Sequence, residues 1–249
     1  MAEQMDLPVL LINIDRAIER RLLIEGQAER LGIRLERVQG VDGSKVPPDQ
    51  WVDADRDLFL KRNGRPLMTG EYGCYKSHLK AFQQLVDSGA PAALIIEDDV
   101  ALSEDLMLRA QSVAATVRDG CVVKLVNHRT LAFRHLFTTP MGDRIGLSRF
   151  GPQGSAACYL LTRGAAQNLL EPLRVQSLPF DMALERVWHH HVPVYTAEES
   201  LLEFGDLRSQ TFIASRADYK QQKQKGLAKI PTHIFRVKEA LLRAFQTLS

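Results

Sequence analysis

The sequence has few cysteines, and they form no recognisable metal-binding or disulfide pattern. Cys74, Cys121 and Cys158 are odd in number, widely separated and without a CxxC pair among the 249 residues. This arrangement is typical of neither a disulfide framework nor a zinc site. We therefore expect a protein of a reducing compartment.

Long apolar runs and a strong excess of one charge are lacking as well. The first apolar run, residues 7–14, is too short to cross a bilayer and has no basic leader or small-residue cleavage site beside it. We therefore expect a cytoplasmic protein that is not exported. The 32 Lys and Arg residues nearly balance the 30 Asp and Glu residues, which argues against a dedicated nucleic-acid-binding protein.

Apolar runs and helical periodicity alternate through the first half of the chain. Asp15 is expected to cap the first helix and Gly32 to end it. Such alternation predicts a largely parallel sheet with helices on both faces, whose ligands bind at the carboxyl ends of the strands. The predicted strands are 7–14, 35–41, 92–96, 121–126, 156–161 and 192–195, and the predicted helices after the first are 55–60, 71–86, 103–117, 163–170 and 179–189.

Three consecutive carboxylates, Glu97, Asp98 and Asp99, follow the apolar run at 92–96. Because side chains alternate along an extended chain, Glu97 and Asp99 are expected on one side and Asp98 on the other. Two carboxylates about 4 Å apart repel each other by roughly 4 kcal/mol at the effective dielectric of a protein surface, and a divalent cation removes that cost. The residues alone leave a metal site and a solvated strand end equally open.

Four blocks of the sequence have an order and spacing typical of one enzyme family. They are Ile12-Asn13-Ile14-Asp15-Arg16 with Arg20 and Val41-Asp42-Gly43; Gly70-Glu71-Tyr72-Gly73-Cys74 with Ser77-His78; Leu94-Ile95-Ile96-Glu97-Asp98-Asp99; and Ala157-Cys158-Tyr159-Leu160-Leu161 with Pro179-Phe180-Asp181. Together they resemble glycosyltransferase family 25, the lipooligosaccharide and collagen galactosyltransferase group. The resemblance covers most of residues 7–215.

The resemblance implies an α/β fold of the GT-A type, in which a mixed sheet flanked by helices binds a nucleotide sugar. It also implies a divalent cation, Mn²⁺ or Mg²⁺, held by the acidic motif against the diphosphate of the donor. We expect residues 1–215 to form this domain. The predicted enzyme moves a hexose, galactose from UDP-galactose, onto a lipooligosaccharide or related glycan by inverting displacement.

Two other functions remain open. One is a metal-dependent phosphohydrolase or nucleotidyltransferase, because any enzyme that acts on a metal-bound phosphate can place acids after a strand. The other is a catalytically silent homologue that binds a nucleotide sugar or a glycan.

The predicted ligands of the cation are Asp99 and, by side-chain alternation, Glu97. Asp98 is predicted to contact the nucleotide or the sugar, with a simple turn residue as the alternative. Arg16 and Arg20 lie near the start of the first helix, where basic side chains and free backbone N–H groups bind phosphate. For both arginines, a solvated helix face is the alternative.

Asn13, Ser77 and His78 fall on positions of the family blocks, which predicts contacts with the donor. For His78 two alternatives stay open: a hydrogen-bonded core histidine, because its neighbours on the helix are apolar, and a helix that holds the acidic strand in place. Asp181 is the predicted catalytic base, which takes the proton of the acceptor hydroxyl. A helix N-cap is the alternative for Asp181.

Residues 216–249 are predicted to form a basic appendage, with eight Lys and Arg against two Asp and Glu. Apolar residues recur there about once per helical turn, as in an amphipathic helix. We expect this helix to contact an anionic membrane at the inner face of the cytoplasmic membrane, where a lipid-linked acceptor is found. A solvated helix, or a helix that docks on the domain or on another subunit, is the equally open alternative. The apolar positions are Ile234, Val237, Leu241 and Phe245.

Two further features are predicted to lie outside the acidic site. Adjacent histidines on one element do not converge on one ion, so the run 189–191 is interpreted as a helix end. Lys124 is interpreted either as a phosphate contact or as a strand-edge charge.

Overall fold

The computed structural model of the protein describes residues 6–206 and 222–246. The predicted domain boundary between residues 215 and 216 therefore lies outside the described residues. The strands are β1 (Val9–Asn13), β2 (Leu35–Gln39), β3 (Ala92–Glu97), β4 (Val100–Ala101), β5 (Val122–Lys124), β6 (Leu131–Thr138), β7 (Arg144–Phe150), β8 (Cys158–Thr162), β9 (Val194–Ala197) and β10 (Glu203–Phe204). The helices are α1 (Ile18–Leu31), α2 (Arg56–Asn63), α3 (Thr69–Ser88), α4 (Leu106–Thr116), α5 (Arg163–Leu170), α6 (Phe180–Leu184), α7 (Val187–His190) and α8 (Ile230–Gln246).

Eight of these strands form one mixed sheet in the order β2-β1-β3-β8-β5-β9-β7-β6. Strand β1 pairs in parallel with β2 and β3, as the alternation of strands and helices predicts. Strand β8 enters between β3 and β5 and runs antiparallel to both. The predicted class, a GT-A-like α/β fold with a mixed sheet flanked by helices, is confirmed.

The sheet has an apolar core on each face because the side chains of its central strands alternate. Leu94 and Ile96 of β3 pack on one face, together with residues of α1 and α4. Ala93 and Ile95 pack on the other face, together with residues of α3, α5 and α6. The two layers of helices hold β1 and β3 rigidly, and these strands carry the acidic motif and its neighbours.

The first helix ends where the sequence predicts, but it does not begin as predicted. Gly32 adopts the left-handed conformation, with φ 65°, and closes α1. Asp15 does not cap the helix, and the N-cap residue, Ala17, forms no side-chain capping bond. The Asp15 carboxylate instead accepts hydrogen bonds from Arg37, at 2.6 Å, and Gln39, at 2.8 Å, because β2 places these side chains beside it.

The second half of the chain differs from its prediction at two places. The β6–β7 hairpin was not predicted, because most of β6 is exposed on both faces and gives no buried alternation. The single helix predicted at 179–189 is split into α6 and α7 at Glu185 and Arg186. The interpretation of the histidine run as a helix end is confirmed, since His191 is the C-cap of α7.

Within the described ranges, no helix combines the length and the apolar character that crossing a bilayer requires.

Candidate active site

An open cleft lies at the carboxyl ends of β1 and β3. The register of this parallel pair sets Ile12 opposite Glu97, so that the end of β1 and the acidic motif meet at one edge of the sheet. The start of α1, the loop at 41–43 and one side of α3 complete the walls. All the predicted site residues except Asp181 line this cleft: Asn13, Arg16, Arg20, Ser77, His78, Glu97, Asp98 and Asp99.

The three carboxylates do not divide between two sides as predicted. Strand β3 ends at Glu97, and Asp98 and Asp99 form a turn before β4. The alternation of side chains applies only to extended backbone, so it does not continue past Glu97. All three acids therefore face the same cleft.

Asp98 is held by residues of β1 and α1. Its Oδ2 accepts a hydrogen bond of 2.6 Å from Asn13 Nδ2, and its Oδ1 forms an ion pair with the Arg20 guanidinium. Burial raises the pKa of Asp98, although the charge of Arg20 and the hydrogen bond from Asn13 act in the opposite direction. Because both of its oxygens have partners, Asp98 fixes Arg20 against the floor of the cleft.

Glu97 is bound to a buried histidine. His78 Nε2 lies 3.1 Å from Glu97 Oε1, and His78 Nδ1 lies 2.9 Å from the Tyr159 hydroxyl. A carboxylate can only accept, so Nε2–H donates to Glu97, and in the neutral ring Nδ1 then accepts from Tyr159. Burial favours the neutral form of Glu97, but the hydrogen bond from His78 and the charge of Arg20 lower its pKa overall. Glu97 is therefore ionised at neutral pH.

His78 is a buried, hydrogen-bonded residue that contacts the acidic motif, and its contact with the donor stays a prediction. The ring is fully buried and stacks on Phe180, with ring centroids 3.9 Å apart. It also lines the cleft and orients Glu97. Tyr159 and Phe180, which hold the ring, were not predicted as site residues, because their apolar surroundings in the sequence are those of ordinary core positions.

Two of the partly buried carboxylates suit a hard divalent cation. The Glu97 and Asp99 side chains are 21% and 17% exposed and both line the cleft. Carboxylate oxygens are the ligands that Mg²⁺ and Mn²⁺ prefer. Cys74, His78 and Glu97 also bring one potential ligand atom each within 4.8 Å of one another. Burial and the nearby acids Glu97 and Asp181 raise the pKa of the Cys74 thiol, which opposes the thiolate that a metal requires.

Arg16 and Arg20 both line the cleft but differ in burial. Arg16 Nε lies 2.9 Å from Asp42 Oδ2, and its side chain is 42% exposed. Arg20 is buried and lies between acids, with Nη2 3.8 Å from Asp99 Oδ2. A solvated helix face is therefore the wrong interpretation for Arg20, whereas Arg16 is open to the solvent and to the cleft.

A glycine contact brings α3 against the wall of the cleft. A Cβ at Gly73 would lie 2.4 Å from the Val41 carbonyl oxygen, and one at Gly43 would lie 1.8 Å from the Thr69 carbonyl oxygen. Neither position therefore tolerates a side chain. Ser77 adds a polar link across the same contact, since its Oγ accepts from Val41 N at 2.8 Å and donates to the Gly73 carbonyl at 2.7 Å.

Asp181 lies beside the cleft rather than in its wall. It sits in the first turn of α6, whose N-cap is Pro179, so the N-cap interpretation is wrong. Its neighbour Phe180 stacks on His78, which connects α6 to the acidic motif. Burial and the charge of Glu185 raise the pKa of Asp181 to about 6, and Lys124 partly opposes them. A carboxylate with such a pKa is a stronger base than ordinary aspartate.

Lys124 is neither a phosphate contact nor a strand-edge charge. It is fully buried and pairs with Glu185, and its Nζ donates a 3.2 Å hydrogen bond to the Gly154 carbonyl. Glu185 also pairs with Arg243 of α8, with Nη2 at 2.9 Å from Oε2. The sequence itself indicates the burial of Lys124, because this residue lies in the middle of the apolar run at 121–126.

Comparisons with known proteins point to one enzyme family. The profile of "Glycosyltransferase family 25 (LPS biosynthesis protein)" matches residues 6–184. Procollagen galactosyltransferase 1 of Danio rerio is 30% identical over 194 residues, which are 74% of this chain and 32% of that protein. A glycosyltransferase 25 family member of Drosophila pseudoobscura pseudoobscura is 29% identical over 191 residues, which are 74% of this chain and 30% of that protein.

A bacterial relative is matched over more of its length. The lacto-N-neotetraose biosynthesis glycosyltransferase LgtB of Neisseria meningitidis serogroup B is 27% identical over 176 residues, 68% of this chain and 62% of that protein. The chain thus spans about a third of the two animal proteins and less than two thirds of the bacterial one.

Proposed function

The chain belongs to glycosyltransferase family 25, and from this membership we propose that it transfers galactose from UDP-galactose onto a lipooligosaccharide or related glycan. The observation that carries the proposal is the cleft in which the acidic motif meets Asn13, Arg16 and Arg20. The choice of galactose is supported by the printed name of the Danio rerio relative, and the choice of acceptor by the names of the family and of the Neisseria relative.

The arginines are proposed to hold the nucleotide part of the donor. Arg16 offers an exposed guanidinium at the rim of the cleft, and Arg20 supplies a buried positive charge beside Asp99. Guanidinium groups bind phosphate oxygens through paired N–H donors. Asn13 and Asp98 fix the position of Arg20, so that the charge is preorganised before the donor arrives.

Glu97 and Asp99 are the proposed ligands of a divalent cation, Mn²⁺ or Mg²⁺, which neutralises the departing diphosphate when it is bound. His78 supports this role because it holds the Glu97 carboxylate in one orientation. Removal of a residue that hydrogen-bonds to a metal-binding carboxylate typically lowers metal affinity or activity by about 10-fold to 100-fold.

Asp181 is the proposed base of a direct displacement that inverts the anomeric centre. The acceptor hydroxyl oxygen attacks the anomeric carbon of the sugar, the bond to the diphosphate breaks, and UDP leaves with the bonding electron pair. The Asp181 carboxylate takes the proton of the attacking hydroxyl. Its raised pKa, about 6, suits this step because the carboxylate is ionised at neutral pH and still basic.

The proposal is tested by assaying the purified chain with UDP-galactose and other UDP-, GDP- and CMP-sugars, with added Mn²⁺ or with EDTA. We expect UDP release and a galactosylated glycan that depend on the cation. Asp99→Ala should lower kcat by about 10²-fold to 10³-fold. Asp87→Ala is the control, because Asp87 is an exposed acid near the end of α3, outside the cleft.

Three results would contradict the proposal. Release of phosphate or pyrophosphate in place of UDP indicates a phosphohydrolase or nucleotidyltransferase. Binding of UDP-galactose without turnover over a wide set of acceptors indicates a silent homologue. Full activity of Asp99→Ala in EDTA would remove the metal from the mechanism while leaving the transferase itself in place.

A further inference from the structure

Helix α8 docks on the domain through one face only. Glu239 accepts hydrogen bonds of 2.8 and 3.0 Å from the Arg186 guanidinium, and Arg243 pairs with the buried Glu185. Thr232 Oγ1 donates to the Lys61 carbonyl at 2.9 Å. These contacts fix both the position of α8 and its rotation about its own axis.

The opposite face of α8 is apolar and exposed. Ile230, Ile234, Val237 and Leu241 are 48%, 65%, 60% and 56% exposed. We call these four residues the outer stripe. At about 100° per residue they fall within one side of the helix, whereas the docking residues lie on the other side. The stripe is therefore not part of the core, although amphipathic helices usually bury such a face.

The charges around the outer stripe are positive. At helical spacing, Lys238 borders the stripe on one side, whereas Arg236 and Lys229, the residue before α8, lie about 80–100° past its other edge and nearer the docking residues. Between residues 222 and 246 the only acid is Glu239, which is paired with Arg186. The segment that carries the outer stripe is thus basic overall, with Lys238 next to the stripe itself.

We propose that the outer stripe docks on the surface of an anionic lipid bilayer, with α8 lying parallel to the membrane plane. An apolar helix face in a segment rich in Lys and Arg is the composition that binds at the boundary between headgroups and acyl chains. Each basic side chain near the surface adds attraction to anionic headgroups. Because α8 is fixed to the domain, this docking also sets the orientation of the whole domain on the membrane.

A second copy of the chain is a poorer occupant of this surface. Packing two outer stripes against each other would bring two basic segments together, and like charges at an interface oppose association. A bilayer that contains anionic lipid meets both the apolar and the charged parts of the surface. This inference does not depend on the proposed transfer reaction, because the contact lies on α8 and not in the cleft.

The test is co-sedimentation of the full chain with sucrose-loaded vesicles of two parts phosphatidylcholine to one part phosphatidylglycerol, or of phosphatidylcholine alone. We expect binding to the anionic vesicles that weakens in high salt. The triple variant Ile234→Gln/Val237→Gln/Leu241→Gln should bind at least about ten-fold more weakly. The matched control is Leu22→Gln/Leu23→Gln/Leu108→Gln, which changes exposed leucines of α1 and α4 and should bind as the wild type does.

The same measurements can overturn the proposal. Equal binding of the triple variant and the wild type, or equal binding to both kinds of vesicle, would contradict it. So would a wild-type dimer that the triple variant converts to a monomer in analytical ultracentrifugation. A large fall in the melting temperature of the triple variant alone would show that the stripe is packed in the fold, and would contradict it too.

Discussion

Each of the three carboxylates at the end of β3 has different neighbours, and so each has a different chemical character. Glu97 is oriented by His78, Asp98 is paired with Arg20 and hydrogen-bonded to Asn13, and Asp99 lines the cleft 3.8 Å from the Arg20 guanidinium. A row of identical groups in the sequence thus becomes two candidate metal ligands and one positioning residue. The difference comes from residues of β1, α1 and α3.

The first prediction at the residue scale concerns the pH dependence of transfer. A base must be deprotonated to act, and the pKa of Asp181 is raised to about 6. We therefore expect kcat/KM to fall about ten-fold per pH unit below pH 6, whereas an ordinary aspartate would keep its activity to about pH 4. The pH profile of initial rates with UDP-galactose measures this limb.

A variant that lacks the Asp181 carboxylate tests the same assignment of the base. Asp181→Asn should lower kcat by about 10²-fold to 10⁴-fold and abolish the limb near pH 6. Glu171→Gln, which removes an exposed acid at the end of α5, should leave rate and profile unchanged. A wild-type limb near pH 4, or a limb near pH 6 that persists in Asp181→Asn, would assign the base to another group.

At the scale of elements, α3 is the part of the fold that assembles the cleft. Its first turns touch the loop at 41–43 through Gly73, and the next turn carries Ser77 and His78. The close approach is needed because the His78 ring must reach both Glu97 and Tyr159. Gly73 is therefore required for this packing, although glycine inside a helix usually lowers stability.

A pair of glycine substitutions in two helices tests this requirement. Gly73→Ala should destabilise the protein by about 1–3 kcal/mol, because its Cβ would meet backbone 2.4 Å away. Gly26→Ala in α1 has its nearest neighbour at 3.9 Å and should stabilise by about 0.5–1 kcal/mol, since alanine favours helix. Urea denaturation measures both, and a destabilisation of equal size in the two variants would contradict the packing argument.

At the scale of the whole molecule, a chain of charges links the sheet to the C-terminal helix. Lys124 of β5 pairs with Glu185, and Glu185 pairs with Arg243 of α8. The Lys124–Glu185 contact is buried, where a charge without its partner is strongly unfavourable. Helix α8 therefore completes an ion-pair network that starts at Lys124 in β5. The network passes through Glu185, at the end of the helix α6 that carries Asp181.

We expect Glu239→Gln to loosen α8 without unfolding the domain. The variant replaces charge-assisted hydrogen bonds to Arg186, which are worth about 1.5–3 kcal/mol, with weaker neutral ones. Hydrogen exchange of the α8 amides should become at least about five-fold faster, while exchange in β1 and β3 is unchanged. Lys238→Gln, on the exposed face of the same helix, is the control and should leave α8 protected. Uniform acceleration over the whole domain would contradict local docking.

The sequence by itself determined the elements and the approximate place of the site. Apolar runs gave the positions of β1, β3 and β8, and the family blocks pointed to eight residues that the structure places around one cleft. These features are local, because hydrophobic periodicity and motif spacing act within a few turns of the chain. The metal, the nucleotide sugar and the base stay predictions that the proposed assays address.

Only the tertiary structure decided which groups meet. The turn at Asp98 ended the alternation of side chains that predicted a separation of the acids. The burial of Lys124 depended on Glu185, which is 61 residues away in sequence. The outward direction of the apolar stripe on α8 likewise depended on Arg186 and Glu185, because their pairing with Glu239 and Arg243 fixes the rotation of the helix. Periodicity shows that a helix has an apolar face, but long-range ion pairs determine where that face points.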